Sequence, residues 1–301
     1  MDRLDVKVGF QCNNKCVFCI QGDKRFHFPD RSYEEVIGFL EQGKKENRDS
    51  VVFTGGEPTF RPKMLLDWVR YAKKLGYEYI QIQTNGRMLS YYDYCKSLVE
   101  AGANEFSPAV HGSKAEIHDR LTGVPGSFEQ VTQGIRNLRK LGQYVMTNSV
   151  VTKTNYQDLP NLARLLIDLG VDQFQFAFIH INPIIAASND KIMEIVPNVR
   201  DAMPYIKQGL DIGRRAGVRC MTEAVPYCLM TGYEDFIAER IIPEAHVFDA
   251  EADIADYSNY RRNEGKSKGP LCKECKMNEV CEGPWREYPD IFGWDEFKPI
   301  K

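Results

Sequence analysis

Short apolar segments alternate with longer amphipathic segments through most of the chain. Segments such as 50–54 have the length and β-branched content of buried strands, whereas segments such as 62–75 repeat apolar residues at helical spacing. Ser32 and Glu35 have the spacing of a capping box, which predicts a helix over 32–42. The predicted strands are 5–10, 50–54, 79–83, 105–110, 144–151 and 171–179. The further predicted helices are 62–75, 91–101, 128–141, 159–169 and 198–216.

Six strand–helix units in succession predict an α/β protein with a parallel sheet and helices outside it. A closed barrel of eight units usually needs about 250 residues. Six units within 1–216 therefore favour a partial (β/α)6 TIM-like barrel, with the reactive loops at the carboxyl ends of the strands. A doubly wound open sheet has the same alternation and is the alternative.

The composition of the sequence changes at the end of the last predicted helix. Cys, Gly, Pro and aromatic residues become dense over 217–301, and the regular alternation stops. This predicts a small loop-rich C-terminal domain that is too short to fold around a large core of its own. A bound metal or Fe–S cluster would supply the missing stabilisation.

Charge and hydropathy exclude several classes of protein. The 301 residues are 43% hydrophobic and 27% charged, with a formal net charge of −3, so no broad cationic surface favours nucleic acid. No apolar segment reaches the roughly 20 residues that span a bilayer. The N-terminus does not have the pattern of a signal peptide, and we expect a cytoplasmic protein.

Six of the nine cysteines form two triplets, which in a reducing compartment indicate metal or cluster ligands. Cys12, Cys16 and Cys19 follow the first predicted strand with the spacing CxxxCxxC. Three thiolates on one short loop can bind three irons of a [4Fe–4S] cluster and leave the fourth iron open, since such clusters ordinarily take four cysteines. Zinc is the alternative, although it usually takes paired CxxC ligands.

With these motifs in place, the sequence resembles the radical S-adenosylmethionine (radical SAM) superfamily. The resemblance includes the cysteine loop with Phe18 before its last cysteine and the motif Gly55-Gly56-Glu57-Pro58 after the second strand. It implies that the open iron binds S-adenosyl-L-methionine and that the glycine–glutamate motif holds the methionine amino group. It also implies reductive cleavage to a 5′-deoxyadenosyl radical, which abstracts a hydrogen from a substrate.

Other polar residues at the predicted strand ends are weaker candidates. Thr84, Asn85 and Asn148 are candidates for cofactor contact, and His111 and His180 for contact with cofactor or substrate. His118 is expected to order its loop. Relatives often have a serine ligand where this chain has Ala109, and no role is transferred to that residue.

The C-terminal triplet resembles part of the SPASM or twitch auxiliary-cluster domain. Cys272, Cys275 and Cys281 would supply three ligands of one auxiliary [4Fe–4S] cluster. The fourth ligand is predicted to be Cys228, with Cys220 second and an open site third, and zinc remains an alternative. Trp285 stands where the full pattern continues with cysteine. Cys95 is predicted to be a buried apolar residue.

These features predict an oxidoreductase-type radical SAM enzyme that oxidises, cross-links or epimerises a peptide or protein side chain. The first predicted strand begins at residue 5, so no separate leader-peptide-binding domain is expected before the barrel. The alternative substrate is therefore a small molecule such as a sugar, an aminocyclitol or a cofactor precursor, and RNA is disfavoured. The expected partner is a one-electron reductant, flavodoxin-like or ferredoxin-like. A two-cluster electron carrier and a zinc-stabilised binding module are the non-catalytic alternatives.

Overall fold

The computed structural model describes residues 2–250 and 252–301 and has a nine-stranded sheet surrounded by helices. The strands are β1 (Arg3–Lys7), β2 (Ser50–Thr54), β3 (Tyr79–Thr84), β4 (Glu105–Pro108), β5 (Tyr144–Val151), β6 (Gln173–Phe178), β7 (Arg219–Glu223), β8 (Ala245–Phe248) and β9 (Asp253–Ile254). The helices are α1 (Lys24–His27), α2 (Tyr33–Lys45), α3 (Pro62–Lys74), α4 (Tyr92–Ala101), α5 (Ala115–Thr122), α6 (Ser127–Lys140), α7 (Leu159–Asp168), α8 (Pro183–Ala186), α9 (Asn189–Ile195), α10 (Val199–Arg215), α11 (Tyr257–Tyr260) and α12 (Glu287–Phe292).

The strands are ordered β7-β6-β5-β4-β3-β2-β1-β8-β9. Strands β1 to β8 pair in parallel, whereas β9 joins β8 antiparallel. Consecutive strands from β1 to β7 are neighbours without a reversal, which is the order of a partial barrel and not of a doubly wound sheet. The predicted fold class is therefore confirmed.

The prediction that strand–helix alternation ends before residue 218 was wrong. Strand β7 pairs with β6 along the register Gln173↔Arg219 to Ala177↔Glu223. Strand β8 pairs with β1 at the other edge, over Arg3↔Ala245 to Val6↔Phe248. The sheet thus continues past the domain boundary predicted after residue 216, and only the later part of the C-terminal region is loop-rich.

Local side-chain contacts explain where the first elements begin and end. The Ser32 hydroxyl accepts from the Glu35 amide at 3.1 Å and the Glu35 carboxylate accepts from the Ser32 amide at 2.8 Å, so the predicted capping box forms and α2 starts there. Strand β1 ends at Lys7 and not at the predicted residue 10, because the Phe10 amide donates to the Asp30 carboxylate at 3.0 Å.

The two faces of the strands have different surroundings. On the outer face, the core includes Phe174 and Phe176, against which glycines 209 and 213 of α10 pack so closely that an added Cβ would lie 2.6 Å from each ring. The inner face carries hydrogen-bonded polar pairs: Gln81 with Glu105 at 3.2 Å and Gln175 with Glu223 at 2.6 Å. A polar barrel interior therefore opens at the carboxyl ends of the strands. In the described part of the chain, no helix is long and apolar enough to cross a membrane.

Candidate active site

The first cysteine triplet lies on the loop after β1, at the mouth of the barrel. Cys12, Cys16 and Cys19 are free thiols, each partly exposed. Burial raises the pKa of Cys16, and the neighbouring Cys19 and Cys12 thiols raise it further. Three thiols that repel one another when ionised fit a site in which a positively charged iron centre sits between them. The donor set therefore fits the three-cysteine cluster that the sequence predicts.

Contacts from three directions hold this loop in place. The buried Phe18 ring packs edge-on against His111, with ring centroids 4.7 Å apart. The Asn182 side-chain amide donates to the Cys19 carbonyl at 2.9 Å. The Val17 amide donates to the Leu121 carbonyl at 3.1 Å. Phe18 thus supports the loop from its buried side.

The two glycines after β2 allow the turn of Gly55–Pro58 to pack against the backbone that precedes the cysteines. Gly55 has φ +120°, and an added Cβ on Gly56 would lie 2.4 Å from the Gln11 carbonyl oxygen. The Gly56 amide donates to the Gly9 carbonyl at 2.8 Å, and the Glu57 amide donates to Gln11 at 2.8 Å. The sequence predicts close approach to a ligand at these glycines, whereas here they approach the protein's own backbone.

The Glu57 carboxylate joins the loop after β2 to the end of β3. One oxygen accepts from the Thr59 amide at 2.9 Å and from the Thr84 hydroxyl at 2.6 Å, and the other accepts from the Asn85 amide at 2.6 Å. Burial raises the pKa of Glu57, while these hydrogen bonds oppose that shift. Pro58 begins the short 3₁₀ turn that Glu57 caps. Glu57 therefore organises the loops around the cysteines.

Asn85 and Arg87 extend this network to the cysteine loop. The Asn85 side-chain amide donates to Asn13 at 2.6 Å and lies 3.7 Å from the Cys12 sulfur. The Arg87 guanidinium donates to the Asn13 carbonyl at 2.5 Å and to Gln130 at 2.6 Å. Arg87 was missed in the sequence, although its position directly after the Thr-Asn-Gly turn is a signal that could have identified it.

Two of the predicted histidine contacts have structural roles. His111 is buried, its amide donates to the His118 ring at 3.0 Å and its ring accepts from the Val150 amide at 3.2 Å. Its ring packs against Phe18, and its contact with cofactor or substrate stays a prediction. The contact with His118 agrees with the expectation that His118 orders its loop. Burial lowers the pKa of His118 to about 4.

Asn148 lies on β5, and His180 follows the end of β6. Asn148 forms an isolated bridge with Ala109, and its buried side-chain oxygen has no hydrogen-bond partner among the described residues. The His180 ring stacks on Trp285 with centroids 4.3 Å apart and an interplanar angle of 10°. The Trp285 indole in turn donates to the Phe178 carbonyl at 3.2 Å.

Four of the five remaining candidate cysteines line one cavity, which we name the C-terminal cysteine cavity. Its cysteines are Cys228, Cys272, Cys275 and Cys281. Burial, together with the three other thiols of the cavity, raises the pKa of the Cys228 thiol to about 12. The structure thus brings the first-choice fourth ligand to the C-terminal triplet.

Cys220 and Cys95 lie elsewhere. The Cys220 sulfur faces α10, 3.4 Å from the Leu210 carbonyl oxygen, on the outer face of β7. The prediction of Cys220 as an alternative fourth ligand is therefore corrected, since its side chain is packed into the helix layer. Cys95 is fully buried with its sulfur 2.9 Å from the Leu89 carbonyl oxygen, in agreement with its predicted apolar role.

Comparison with known proteins agrees with this geometry. The family model for the Radical SAM superfamily matches residues 6–166. The probable GTP 3′,8-cyclase of Saccharolobus solfataricus is 30% identical over 182 residues, which cover 60% of this chain and 58% of that protein. The AdoMet-dependent heme synthase of Methanosarcina barkeri is 29% identical over 170 residues, covering 56% of this chain and 48% of that protein. The chain thus spans about half of the length of these curated relatives.

Solved structures share the fold over nearly the whole chain. Native anSMEcpe with bound AdoMet superimposes with a TM-score of 0.71 at 17% identity, covering 97% of this chain and 91% of that one. SuiB of Streptococcus suis bound to S-adenosylmethionine gives a TM-score of 0.67 at 17% identity, covering 94% and 72%. The family match covers more than half of the chain, and these structures extend the shared fold across both regions. The chain is an enzyme of the radical SAM superfamily.

Proposed function

We propose that this enzyme holds a [4Fe–4S] cluster on the cysteines of loop 12–19 and a second [4Fe–4S] cluster in the C-terminal cysteine cavity, and that it oxidises a peptide or protein side chain. The second cluster would make the later part of the C-terminal region a SPASM-like or twitch-like module. The observation that carries the proposal is the meeting of Cys228 with the C-terminal triplet in one cavity.

The first cluster, when bound with S-adenosylmethionine, supplies one-electron cleavage chemistry to the barrel mouth. This chain's own residues would orient that cofactor. Glu57 fixes the turn of Gly55 and Gly56 against the cysteine loop, and Asn85 reaches Cys12 from the end of β3. Phe18 packs against His111 and supports the loop from its buried side. The reductant would be an external one-electron donor, flavodoxin-like or ferredoxin-like.

Geometry favours a cluster over zinc in the C-terminal cysteine cavity. Four thiolates on one zinc ion each lie about 2.3 Å from the metal, which requires closely converging sulfurs. In the described part of the chain, no three His, Cys, Asp or Glu side chains are placed to share a single metal ion. A cubane cluster takes four cysteines that are spread around a larger object, and this suits a cavity lined from two chain segments.

The shared architecture supports a peptide substrate. The anSMEcpe fold that matches 95% of this chain has been solved with the bound Kp18Cys peptide, and SuiB has been solved with its precursor peptide SuiA. The curated relatives are named for GTP and heme chemistry, which supports a small-molecule substrate as the second candidate.

Iron, sulfide and zinc analysis of anaerobically reconstituted protein tests the proposal. The wild type should hold about eight irons and little zinc, since two cubane clusters are expected. Cys228→Ala should lose or destabilise the second cluster, whereas Cys220→Ala, the matched control, should keep both. Reduced protein should release 5′-deoxyadenosine from S-adenosylmethionine.

Each part of the proposed function would be overturned by a different result. About four irons with one zinc would overturn the second cluster and leave the first in place. Absence of 5′-deoxyadenosine would favour the two-cluster electron carrier. Iron lost in Cys220→Ala and kept in Cys228→Ala would refute the ligand assignment.

A further inference from the structure

Strands β5, β6 and β7 carry hydrogen-bonding side chains that the proposed cofactor contacts do not use. Gln175 of β6 and Glu223 at the end of β7 point into the barrel, with the Gln175 amide donating to one Glu223 oxygen at 2.6 Å. Asn148 of β5 pairs in register with Gln175. These residues form a polar strip across three adjacent strands, which we name the β5–β7 wall.

The C-terminal segment adds a buried ion pair to this wall. Lys266 and Glu239 have side chains that are 0% and 8% exposed, and they lie 3.0 Å apart. One Glu239 oxygen also accepts from the Ala224 amide at 2.7 Å, which fixes it at the end of β7. The Lys266 ammonium sits 4.3 Å from the centre of the Trp285 ring, so its remaining face is covered by an aromatic surface.

The other Glu239 oxygen is buried and has no hydrogen-bond partner among the described residues. The buried side-chain oxygen of Asn148 also has no hydrogen-bond partner among the described residues. A buried acceptor without a donor destabilises the site that contains it, so both oxygens favour a ligand that brings donors. Two independent acceptors on one wall therefore indicate the same ligand chemistry.

The charges of the wall do not balance. Glu223 and Glu239 are close enough to repel, and burial together with Glu239 raises the pKa of Glu223. Lys266 contacts Glu239. Arg3 also lowers the pKa of Glu223, but it acts on the carboxylates of Asp5 and Glu105 as well. The nearby Arg261 is occupied by Glu282, through two hydrogen bonds of 2.8 and 2.7 Å. One negative charge is thus left to be neutralised by a proton or by a cationic ligand.

We propose that the β5–β7 wall binds a protonated amine of the substrate between Glu223 and Glu239, with Asn148 accepting a further hydrogen bond. The inference rests on the proposed function only for placing the substrate in the barrel mouth. An amine can come from a lysine side chain of a peptide or from an amino sugar, and the chemistry of recognition is the same. Anionic groups are excluded from this wall by the two carboxylates.

Binding to the reconstituted holoenzyme with S-adenosylmethionine present tests this inference by ligand-observed NMR, which detects weak complexes. The probes are two matched pairs: the peptide Gly-Lys-Gly with its Nε-acetylated form, and glucosamine with N-acetylglucosamine. We expect the charged member of one pair to bind and its neutral partner to bind at least tenfold more weakly, and the pair that responds identifies the source of the amine.

Variants distinguish the wall from other surfaces. Glu223→Gln keeps a group that can contact Gln175, and it should weaken binding of the charged probe at least tenfold. Glu264→Gln removes an exposed carboxylate that lies 3.9 Å from Arg286, and binding should stay within twofold of wild type. Glu239→Gln serves as the second variant if Glu223→Gln does not fold.

Equal binding of charged and neutral probes, binding of neither charged probe, or unchanged binding in both wall variants would each overturn the inference. Formation of 5′-deoxyadenosine is measured in the same samples without probe. Its presence together with failed amine binding would reject the wall site alone, whereas its absence would reject the proposed function.

Discussion

Replacement of Glu57 by glutamine is the sharpest test of how the mouth is organised. The carboxylate accepts from Thr59 and Thr84 on one oxygen and from the Asn85 amide on the other. A glutamine side chain has one acceptor oxygen and one amide nitrogen that only donates. Whichever way the amide is turned, a nitrogen then faces at least one buried donor.

The magnitude follows from that mismatch. An unpaired buried donor costs about 1–3 kcal/mol, and hydrogen bonds to a charged acceptor are stronger than those to a neutral one by about 1 kcal/mol. Removal of a buried charge offsets part of this, since burial already raises the pKa of Glu57. We expect Glu57→Gln to lower the free energy of unfolding by about 2 kcal/mol, which shifts the urea midpoint by about 0.7 M at a slope of about 3 kcal/mol/M.

Urea unfolding of the cluster-free protein, followed by circular dichroism, measures this effect without any cofactor. Glu100→Gln is the matched control, because Glu100 is 65% exposed and makes only a 3.7 Å helical ion pair with Lys96, worth less than about 0.5 kcal/mol. Thr84→Val removes one donor to the same carboxylate. Its cost should be smaller in the Glu57→Gln background than in wild type, since the two side chains share one hydrogen bond.

An unchanged urea midpoint in Glu57→Gln together with lost binding of S-adenosylmethionine would refute the reasoning. That result would mean that Glu57 serves the cofactor alone and that its contacts with Thr84 and Asn85 contribute little to the fold. Additive costs for Glu57→Gln and Thr84→Val would refute the shared hydrogen bond specifically.

Two further predictions address the cysteine loop and its support. Cys16→Ala should abolish formation of 5′-deoxyadenosine and remove about four irons, while Cys95→Ala changes neither, and retained cleavage in Cys16→Ala would contradict the loop assignment. Burial lowers the pKa of His118 from 6.5 to about 4, so the folded protein keeps this ring neutral at pH values where the unfolded chain protonates it. The stability contributed is complete above about pH 6.5 and is lost as the pH falls towards 4, and wild type should lose about 3 kcal/mol more than His118→Asn over that range in urea titrations. Parallel pH profiles for the two proteins would contradict this.

Most of the barrel could be predicted from the sequence because its signals are local. Strand β2 and helix α3 are marked by apolar periodicity and by flanking turns, and the capping box at Ser32 fixes the start of α2. The short β8 could not be predicted, because its four residues become a strand only through pairing with β1, more than 200 positions earlier in the chain. Such long-range pairing leaves no local periodicity.

The residues of the candidate site also fall into two groups, those that the sequence alone identifies and those that only the structure brings together. The cysteine loop and the Gly55–Pro58 motif are contiguous in sequence, so spacing alone identifies them. Glu239 and Lys266 are separate residues of irregular segments, and only the tertiary structure shows them as a buried pair. The contacts of His111 with His118 and with the Val150 amide could not be predicted, because the sequence does not show which way a histidine at a strand end faces.

The continuation of the sheet into β7 connects the barrel mouth to the C-terminal cysteine cavity. Glu223 ends β7 and faces the mouth, and Cys228 follows it by one short turn and lines the C-terminal cysteine cavity. On the return of the chain, Cys281 lines the cavity and Trp285 packs on His180 at the mouth. Two short connections therefore join the cavity to the β5–β7 wall, one of them held in the barrel sheet. A separate C-terminal domain on a flexible linker would not fix these distances, so binding at the wall and the state of the cavity should influence each other through β7 and Trp285.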